Sequence, residues 1–156
     1  MTRKTQHSGR SDQEKASYKR QKDAECLREN RRWRGAMYLG GYAIECKLKA
    51  QLMEYASVDT LEELEEWAQR RTGEVLKLTT HSIPLLLSLH PVSGTLFELV
   101  PGKKLTSYQD QVLRSFLVCN QWTPSWRYRP DDGSEKECAR FFEALDVCLR
   151  FIENSI

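Results

Sequence analysis

The chain has 156 residues, of which 40% are hydrophobic, and this is enough for one soluble domain with its own core. The longest segment without Asp, Glu, Lys or Arg, residues 78–97, contains Pro84, Pro91 and Gly94, so it is not predicted to span a membrane. Five cysteines without a Cys-x-x-Cys spacing, and no signal peptide, predict a cytoplasmic protein with reduced thiols and no zinc site.

The first third of the chain is basic, although the net charge is only +2. Residues 1–34 hold eleven Lys or Arg against five Asp or Glu, and we expect a flexible tail over residues 1–10 followed by a single domain over residues 11–156. Ser11 or Asp12 can cap a first helix that continues to about Glu29. The basic excess favours phosphate contacts with nucleic acid, whereas the acids along the same helix are typical of a solvated helix face.

The second predicted helix, over residues 34–52, carries the most informative pattern. Its apolar residues recur at spacings of three, four or seven, which is helical periodicity: Trp33, Met37, Ile44, Leu48 and Tyr55. Gly40 and Gly41 lie in its middle, where each costs about 1 kcal/mol relative to alanine. Such a pair is expected where another backbone approaches closely or a functional group needs space. The alternative is a turn between two short helices.

Caps predict the next two helices. Thr60 and Glu63 form a capping-box pattern, and Gly73 is suited to end the helix that follows. Thr80 or Ser82 can begin a leucine-rich helix with proline in its first turn, which His90-Pro91 ends. Residues 92–102 are predicted to form a loop or a short extended piece.

The last third of the chain predicts two more helices joined by an aromatic connector. The first of them runs from Leu105 or Thr106 to about Asn120. The connector, residues 122–133, is basic and rich in proline and tryptophan. Ser134 then caps a closing amphipathic helix, with Glu137 completing a second capping box. All these elements together predict an all-α bundle.

The middle of the second helix resembles the second helix of HEPN domains, which are small helical bundles of prokaryotic toxin and defence systems and of a few eukaryotic proteins. The resembling residues are Ala36-x-Tyr38-Leu-Gly-Gly-Tyr-Ala-Ile-Glu45-x-x-Leu48-Lys49-Ala50. The charged first helix, the segment Thr80-His81-Ser-Ile-Pro-Leu-Leu-Leu87 and the closing helix are similar as well. The resemblance implies a HEPN-like antiparallel bundle of about five helices.

Catalytic HEPN domains cleave RNA without a metal, and they use an Arg and a His separated by four to six intervening residues near the start of the last helix. The His acts as general acid or base, and the Arg holds the scissile phosphate. That spacing is missing here, because the histidines are His7, His81 and His90, and the expected position holds Trp126-Arg127-Tyr128-Arg129-Pro130. A ribonuclease of the usual HEPN kind is therefore not predicted.

Several residues remain candidates for a site. Arg127 and Arg129, in the proline-fixed connector, could clamp phosphate, stack on a base or pair with a buried carboxylate, and Glu45 is the candidate partner. That pair could be a structural ion pair or part of a ligand site, or the two residues could lie apart. His81 could be a ligand contact, a lone catalytic base or a structural histidine at a helix start. The candidate binding residues are Arg28, Arg31, Arg32, Arg34, Glu45, Lys49, Arg127 and Arg129.

The sequence supports three functions of different classes. The first is a non-catalytic HEPN-like module that binds RNA or a protein partner, as a homodimer through the closing helix, whose apolar residues cover more than one face. The second is a metal-independent endoribonuclease or toxin with a diverged active site built from His81, Arg127 and Arg129. The third is a structural scaffold subunit. No phosphate-binding glycine loop or metal-ligand spacing is present, so no cofactor is predicted.

Overall fold

The computed structural model describes residues 7–75, 77, 81–97, 102 and 104–156, with only the backbone at residues 97 and 127. These ranges contain a 3₁₀ helix over Pro124–Tyr128 and seven α-helices: α1 (Arg10–Glu29), α2 (Trp33–Ala56), α3 (Leu61–Thr72), α4 (Ile83–Ser88), α5 (Pro91–Phe97), α6 (Ser107–Cys119) and α7 (Glu135–Ser155). The same ranges hold no strand, only an isolated bridge between Gly9 and Thr60. The predicted all-α class is confirmed, and none of the described helices is apolar over a length that could cross a membrane.

Helix α2 is the centre of the bundle. Its most extensive contact is with α1, and it also contacts α3, α4, α7 and the 3₁₀ helix, while α6 packs against α7. Because neighbours surround it, α2 is buried on most of its circumference rather than along one stripe. Met37, Ile44 and Leu48 of the predicted face are fully buried, whereas Tyr55 at the end of the helix is 43% exposed.

The two glycines of α2 lie inside a continuous helix and not in a turn. A Cβ atom at Gly40 would lie 2.9 Å from Phe141 Cε1, and one at Gly41 would overlap the indole ring of Trp122. The expected close approach is therefore present, but aromatic side chains make it and not a second backbone. These contacts place α7 and the aromatic connector directly against α2.

Most of the predicted helix ends are where the caps placed them. Thr60 and Glu63 form a complete capping box, and Gly73 ends α3 with a left-handed φ of 74°. Ser82 caps α4, whereas Thr80, the other predicted start, lies outside the described residues. Ser134 caps α7, but its predicted box partner Glu137 turns away to bind Arg34.

Two segments differ from the prediction. Residues 92–97, predicted as a loop, belong to helix α5, so that prediction is wrong for them, and most of residues 98–102 lie outside the described part. At the N-terminus, residues 1–6 are outside the description, but Ser8 and Gly9 are anchored. The Arg10 N–H donates to the Asp59 carbonyl, and the Leu61 N–H donates to the Ser8 carbonyl. Helix α1 accordingly begins at Arg10, one residue before the predicted cap.

Most of the large apolar side chains of helix α7 are buried within the chain. Phe141, Leu145, Phe151 and Ile152 are at most 5% exposed, and Phe116 of α6 packs on Phe151. Phe142, Val147 and Leu149 are only partly buried. The second apolar face on which the homodimer was predicted is therefore smaller than the sequence suggested, and the homodimer stays a prediction.

Candidate functional site

A carboxylate lies in the centre of the bundle, at Glu45 on α2. Its residue is 1% exposed, and Lys49, one turn further along the same helix, is 5% exposed. The Lys49 ammonium donates to Glu45 Oε1. Burying two charges costs several kcal/mol for each ion, so such a pair is rarely kept for stability alone.

His81 connects the buried pair to the surface. It lies just before α4, its Nδ1 is 2.7 Å from Glu45 Oε2, and 35% of its side chain is exposed. A carboxylate only accepts hydrogen bonds, so we assign a proton to Nδ1, and in that tautomer Nε2 is a hydrogen-bond acceptor. Nε2 has no hydrogen-bond partner within the described residues. The Glu45 carboxylate thus sets both the orientation and the tautomer of His81.

Aromatic rings surround the imidazole. The ring centroids of Tyr42 and Trp122 lie 5.7 Å and 6.1 Å from that of His81, the latter edge-on. Trp122 is 3% exposed, and its position is fixed because its indole fills the space left by Gly41. The half-buried Tyr42 carries the Arg20 guanidinium over its ring at 5.7 Å. The site at the surface therefore consists of an imidazole, a phenol ring and a cation above a buried ion pair.

Two further groups near Glu45, the Cys46 thiol and the Tyr42 phenol, keep their protons at neutral pH. Burial, followed by the adjacent Glu45 carboxylate, raises the pKa of the Cys46 thiol to about 12. Burial is also the main reason that the pKa of the Tyr42 phenol is raised, with smaller effects of Cys46 and Glu45. Neither group supplies an anionic nucleophile at neutral pH. The imidazole of His81 is the base of this cluster that reaches the surface.

The structure places Arg34 inside the fold and not on the basic surface predicted for it. Arg34 is 6% exposed, and its guanidinium lies 3.3 Å from Glu137 and 3.4 Å from Asp131. The same group stacks on the Trp126 ring at 4.8 Å. Both terminal nitrogens of the guanidinium thus face a carboxylate, whereas its buried Nε has no hydrogen-bond partner within the described residues. Arg34 therefore fastens the connector and the start of α7 to α2, and it does not contact phosphate from the surface.

The remaining predicted arginines are not gathered into one patch. Arg28 lies over the Phe142 ring at 4.7 Å, and Arg129 is 3.2 Å from Asp131. Arg31 and Arg32 are exposed at the α1–α2 corner. Glu25, Glu29 and Glu135 line a groove with Arg28 and Arg31, and these acids reduce the attraction of the corner for phosphate.

The predicted pairing of Glu45 with Arg127 lies outside the described residues, because the side chain of Arg127 is not part of the description. Both oxygens of the Glu45 carboxylate have other partners, Lys49 and His81. Of the runner-up catalytic set, His81 and Arg129 share no contact in the described part. Within that part, no three His, Cys, Asp or Glu side chains are grouped in a way that could hold a metal ion.

Comparison with known proteins adds no family to this picture. No family model matches the chain, and neither the curated proteins nor the solved structures contain a significant match. The geometry around Glu45 and His81 is therefore the observation that bears on function.

Proposed function

We propose that the chain is a HEPN-like helical module of a cytoplasmic, prokaryotic defence or toxin-type system, and that it binds single-stranded RNA without cleaving it. The observation that carries the proposal is the Glu45–His81 contact of 2.7 Å, which leaves Nε2 of a partly exposed imidazole ready to accept a hydrogen bond. A ribose 2′-hydroxyl is a suitable donor, and it is the group by which proteins tell RNA from DNA.

The surroundings of His81 suit a nucleotide. The half-buried Tyr42 ring offers a face on which a base can stack, and base–aromatic stacking contributes about 1–3 kcal/mol per base. Arg20 lies over that ring, and its partly exposed guanidinium can meet a phosphate, although Asp23 shares it at 3.2 Å. One base, one ribose and one phosphate would thus each have a matching group.

We expect binding without cleavage because His81 lacks an accompanying proton donor and an unpaired cation for the phosphate within the described residues. Cleavage of RNA by acid–base catalysis needs a second proton donor for the leaving oxygen and a cation on the scissile phosphate. In the described part, Lys49 is committed to the buried Glu45, Arg34 and Arg129 pair with acids of the connector and α7, and Arg20, the cation beside Tyr42, is shared with Asp23. The usual HEPN spacing of Arg and His is also missing from the sequence.

A second candidate function is a metal-independent endoribonuclease with a diverged site. The carboxylate–imidazole contact between Glu45 and His81 favours it, because the same arrangement orients general bases in hydrolytic enzymes. In that case His81 would remove the 2′-hydroxyl proton, and Arg127 and Arg129 would hold the phosphate.

The test of binding compares a fluorescein-labelled single-stranded RNA decamer with the DNA decamer of the same sequence, by anisotropy in the presence of EDTA. We expect the RNA to bind more tightly than the DNA by about 2- to 12-fold. This ratio of affinities corresponds to the net free energy of one hydrogen bond, about 0.5–1.5 kcal/mol. His81→Ala should remove this preference, and His7→Ala, at an exposed histidine, should retain it. Equal affinity for RNA and DNA in wild type and His81→Ala would refute the proposal.

The same samples decide between binding and cleavage. Intact RNA after prolonged incubation with wild type is the expected result. Cleavage that both His81→Ala and Arg127→Ala abolish would establish the ribonuclease instead. Cleavage that neither variant changes would come from a contaminating nuclease, and the anisotropy data would then decide.

A further inference from the structure

A cavity of about 250 Å³ lies at the start of α7, away from His81. Its floor is apolar and comes from three elements and the connector: Met37 of α2, Val118 of α6, Phe141 of α7 and Trp126 of the 3₁₀ helix. Met37, Trp126 and Phe141 are at most 9% exposed, so the floor is part of the core. An apolar cavity of about 150 Å³ already accommodates benzene. This cavity is therefore large enough for a flat molecule of one or two rings.

The floor is held in one arrangement before any ligand arrives. The Arg34 guanidinium stacks on the Trp126 ring at 4.8 Å, and two carboxylates fix that guanidinium. Phe141 packs against Trp126 with 6.3 Å between ring centroids. A rigid aromatic floor loses little conformational entropy when a planar molecule is placed on it.

The rim of the cavity carries two cations in unfavourable positions. Lys136 and Arg140 are exposed and lie four residues apart on α7, where like charges repel. Lys136 is also in the first turn of the helix, whose positive dipole end disfavours cations. Neither side chain has an ion-pair partner within the described residues, and the carboxylate of Glu137 beside them is committed to Arg34. A bound anion would relieve both unfavourable terms.

We propose that this cavity binds a small planar aromatic anion, with its rings on the Trp126–Phe141 floor and its carboxylate or phosphate between Lys136 and Arg140. The apolar floor selects the rings, and the two cations select the charge. The proposal is independent of RNA binding at His81, because the two sites share no residue.

The experiment measures chemical-shift changes in ¹⁵N-labelled protein titrated with three probes of nearly equal size: 2-naphthoate, 2-naphthylmethylamine and naphthalene-2-methanol. We expect 2-naphthoate to bind most tightly and to shift the Trp126 indole signal and the amides of residues 135–141. The ammonium probe should bind most weakly. Equal binding of the three probes, no binding of 2-naphthoate at millimolar concentration, or shifts away from the cavity would each refute the proposal.

Variants separate the two parts of the site. Lys136→Gln and Arg140→Gln should each weaken 2-naphthoate binding by about 2- to 5-fold, as expected for exposed charge pairs, without changing the alcohol. Val118→Trp, at a half-buried position of the floor, should abolish binding of all three probes.

The matched control is Arg150→Gln, at an exposed arginine of α7 that pairs with Asp146, and this variant should bind 2-naphthoate as wild type does. His81→Ala should also leave 2-naphthoate binding unchanged, which keeps this test separate from that of RNA binding.

Discussion

At position 41 the core has room for a hydrogen atom and no more, because an added Cβ would overlap the indole of Trp122, which is itself 3% exposed. Overpacking a core costs about 1–3 kcal/mol or more. We predict that Gly41→Leu severely destabilises the protein. Gly41→Ala should destabilise it too, even though alanine gains about 1 kcal/mol in a helix. Thermal unfolding followed by circular dichroism measures the effect, at about 2–4 °C per kcal/mol.

The matched control is Gly35→Ala in the same helix. The nearest atom to a Cβ there is Leu27 Cδ1 at 3.2 Å, the end of a flexible side chain that can move. We expect this variant to unfold at or above the wild-type temperature. If Gly41→Ala behaved in the same way as Gly35→Ala, the indole would not be fixed against α2.

His90 gives the protein a dependence of stability on pH. Burial, and then the nearby Arg71, lower the pKa of His90 below its ordinary value of 6.5, and its Nδ1 accepts a hydrogen bond of 3.2 Å from the Val92 N–H. The unfolded chain therefore binds more protons below pH 6.5 than the folded chain does. The contribution of neutral His90 to stability is complete above pH 6.5 and is lost as the pH falls through the folded pKa.

We predict that the free energy of unfolding of wild type falls more steeply between pH 7 and about 5 than that of His90→Gln. Urea unfolding at several pH values measures both slopes. Since other groups titrate equally in the two proteins, the difference isolates His90. Parallel slopes would show that the ring is hydrated in the folded state.

At the scale of the element, α2 carries an ion pair that surrounding helices have sealed from water. Removing one partner of a buried pair costs about 3–5 kcal/mol, because the other charge stays buried. We predict a loss of this size for Lys49→Met, which leaves Glu45 with His81 alone. The double variant Glu45→Leu/Lys49→Met should recover much of the loss, since neither charge then remains. Urea unfolding provides the free energies.

The control is a pair of the same spacing on the surface. Asp110 and Arg114 of α6 lie 2.8 Å apart and are exposed, so Arg114→Met should cost less than about 1 kcal/mol. A cost for Lys49→Met as small as that for Arg114→Met would mean that water reaches Glu45.

Local chemistry made most helix ends predictable. The cap at Thr60 and those at Ser82, Thr106 and Ser134 each act within three residues, so the sequence contains the whole interaction. Helix α5 was missed because Pro91 and Gly94 are typical of a loop. The packing that holds it lies elsewhere: Ser93 Oγ donates to the Leu87 carbonyl at 2.6 Å, and Leu96 is buried.

The candidate site was only partly predictable, because some of its contacts are local in the sequence and others join distant segments. Lys49 lies four residues after Glu45, so helical spacing could have suggested their pairing. His81 is 36 residues from Glu45, and only the fold brings them together. Glu137 illustrates the opposite error, because a local pattern assigned it to the cap of α7 while its carboxylate binds Arg34, 103 residues away.

At the scale of the whole molecule, we expect a homodimer through the face of α7 that carries Phe142 and Leu149, which are only partly buried. Sedimentation velocity at tens of micromolar should show a dimer for wild type. Leu149→Glu should be monomeric, whereas Val92→Glu, at an exposed valine of α5, should remain dimeric. A monomeric wild type at this concentration would contradict the prediction.

The bridge between Gly9 and Thr60 has a consequence for how the molecule opens. Gly9 precedes the first turn of α1, and Thr60 caps the first turn of α3, so two helices distant in the chain start from one pair of backbone hydrogen bonds. Fraying of either helix end breaks the backbone hydrogen bonds that also hold the other end. The first turns of α1 and α3, which would otherwise open independently, therefore open in one cooperative event. Amide protons at the beginnings of α1 and α3 should therefore exchange with solvent deuterium at matched rates. The closed α1–α2 hairpin between them would behave as a single unit of native-state exchange.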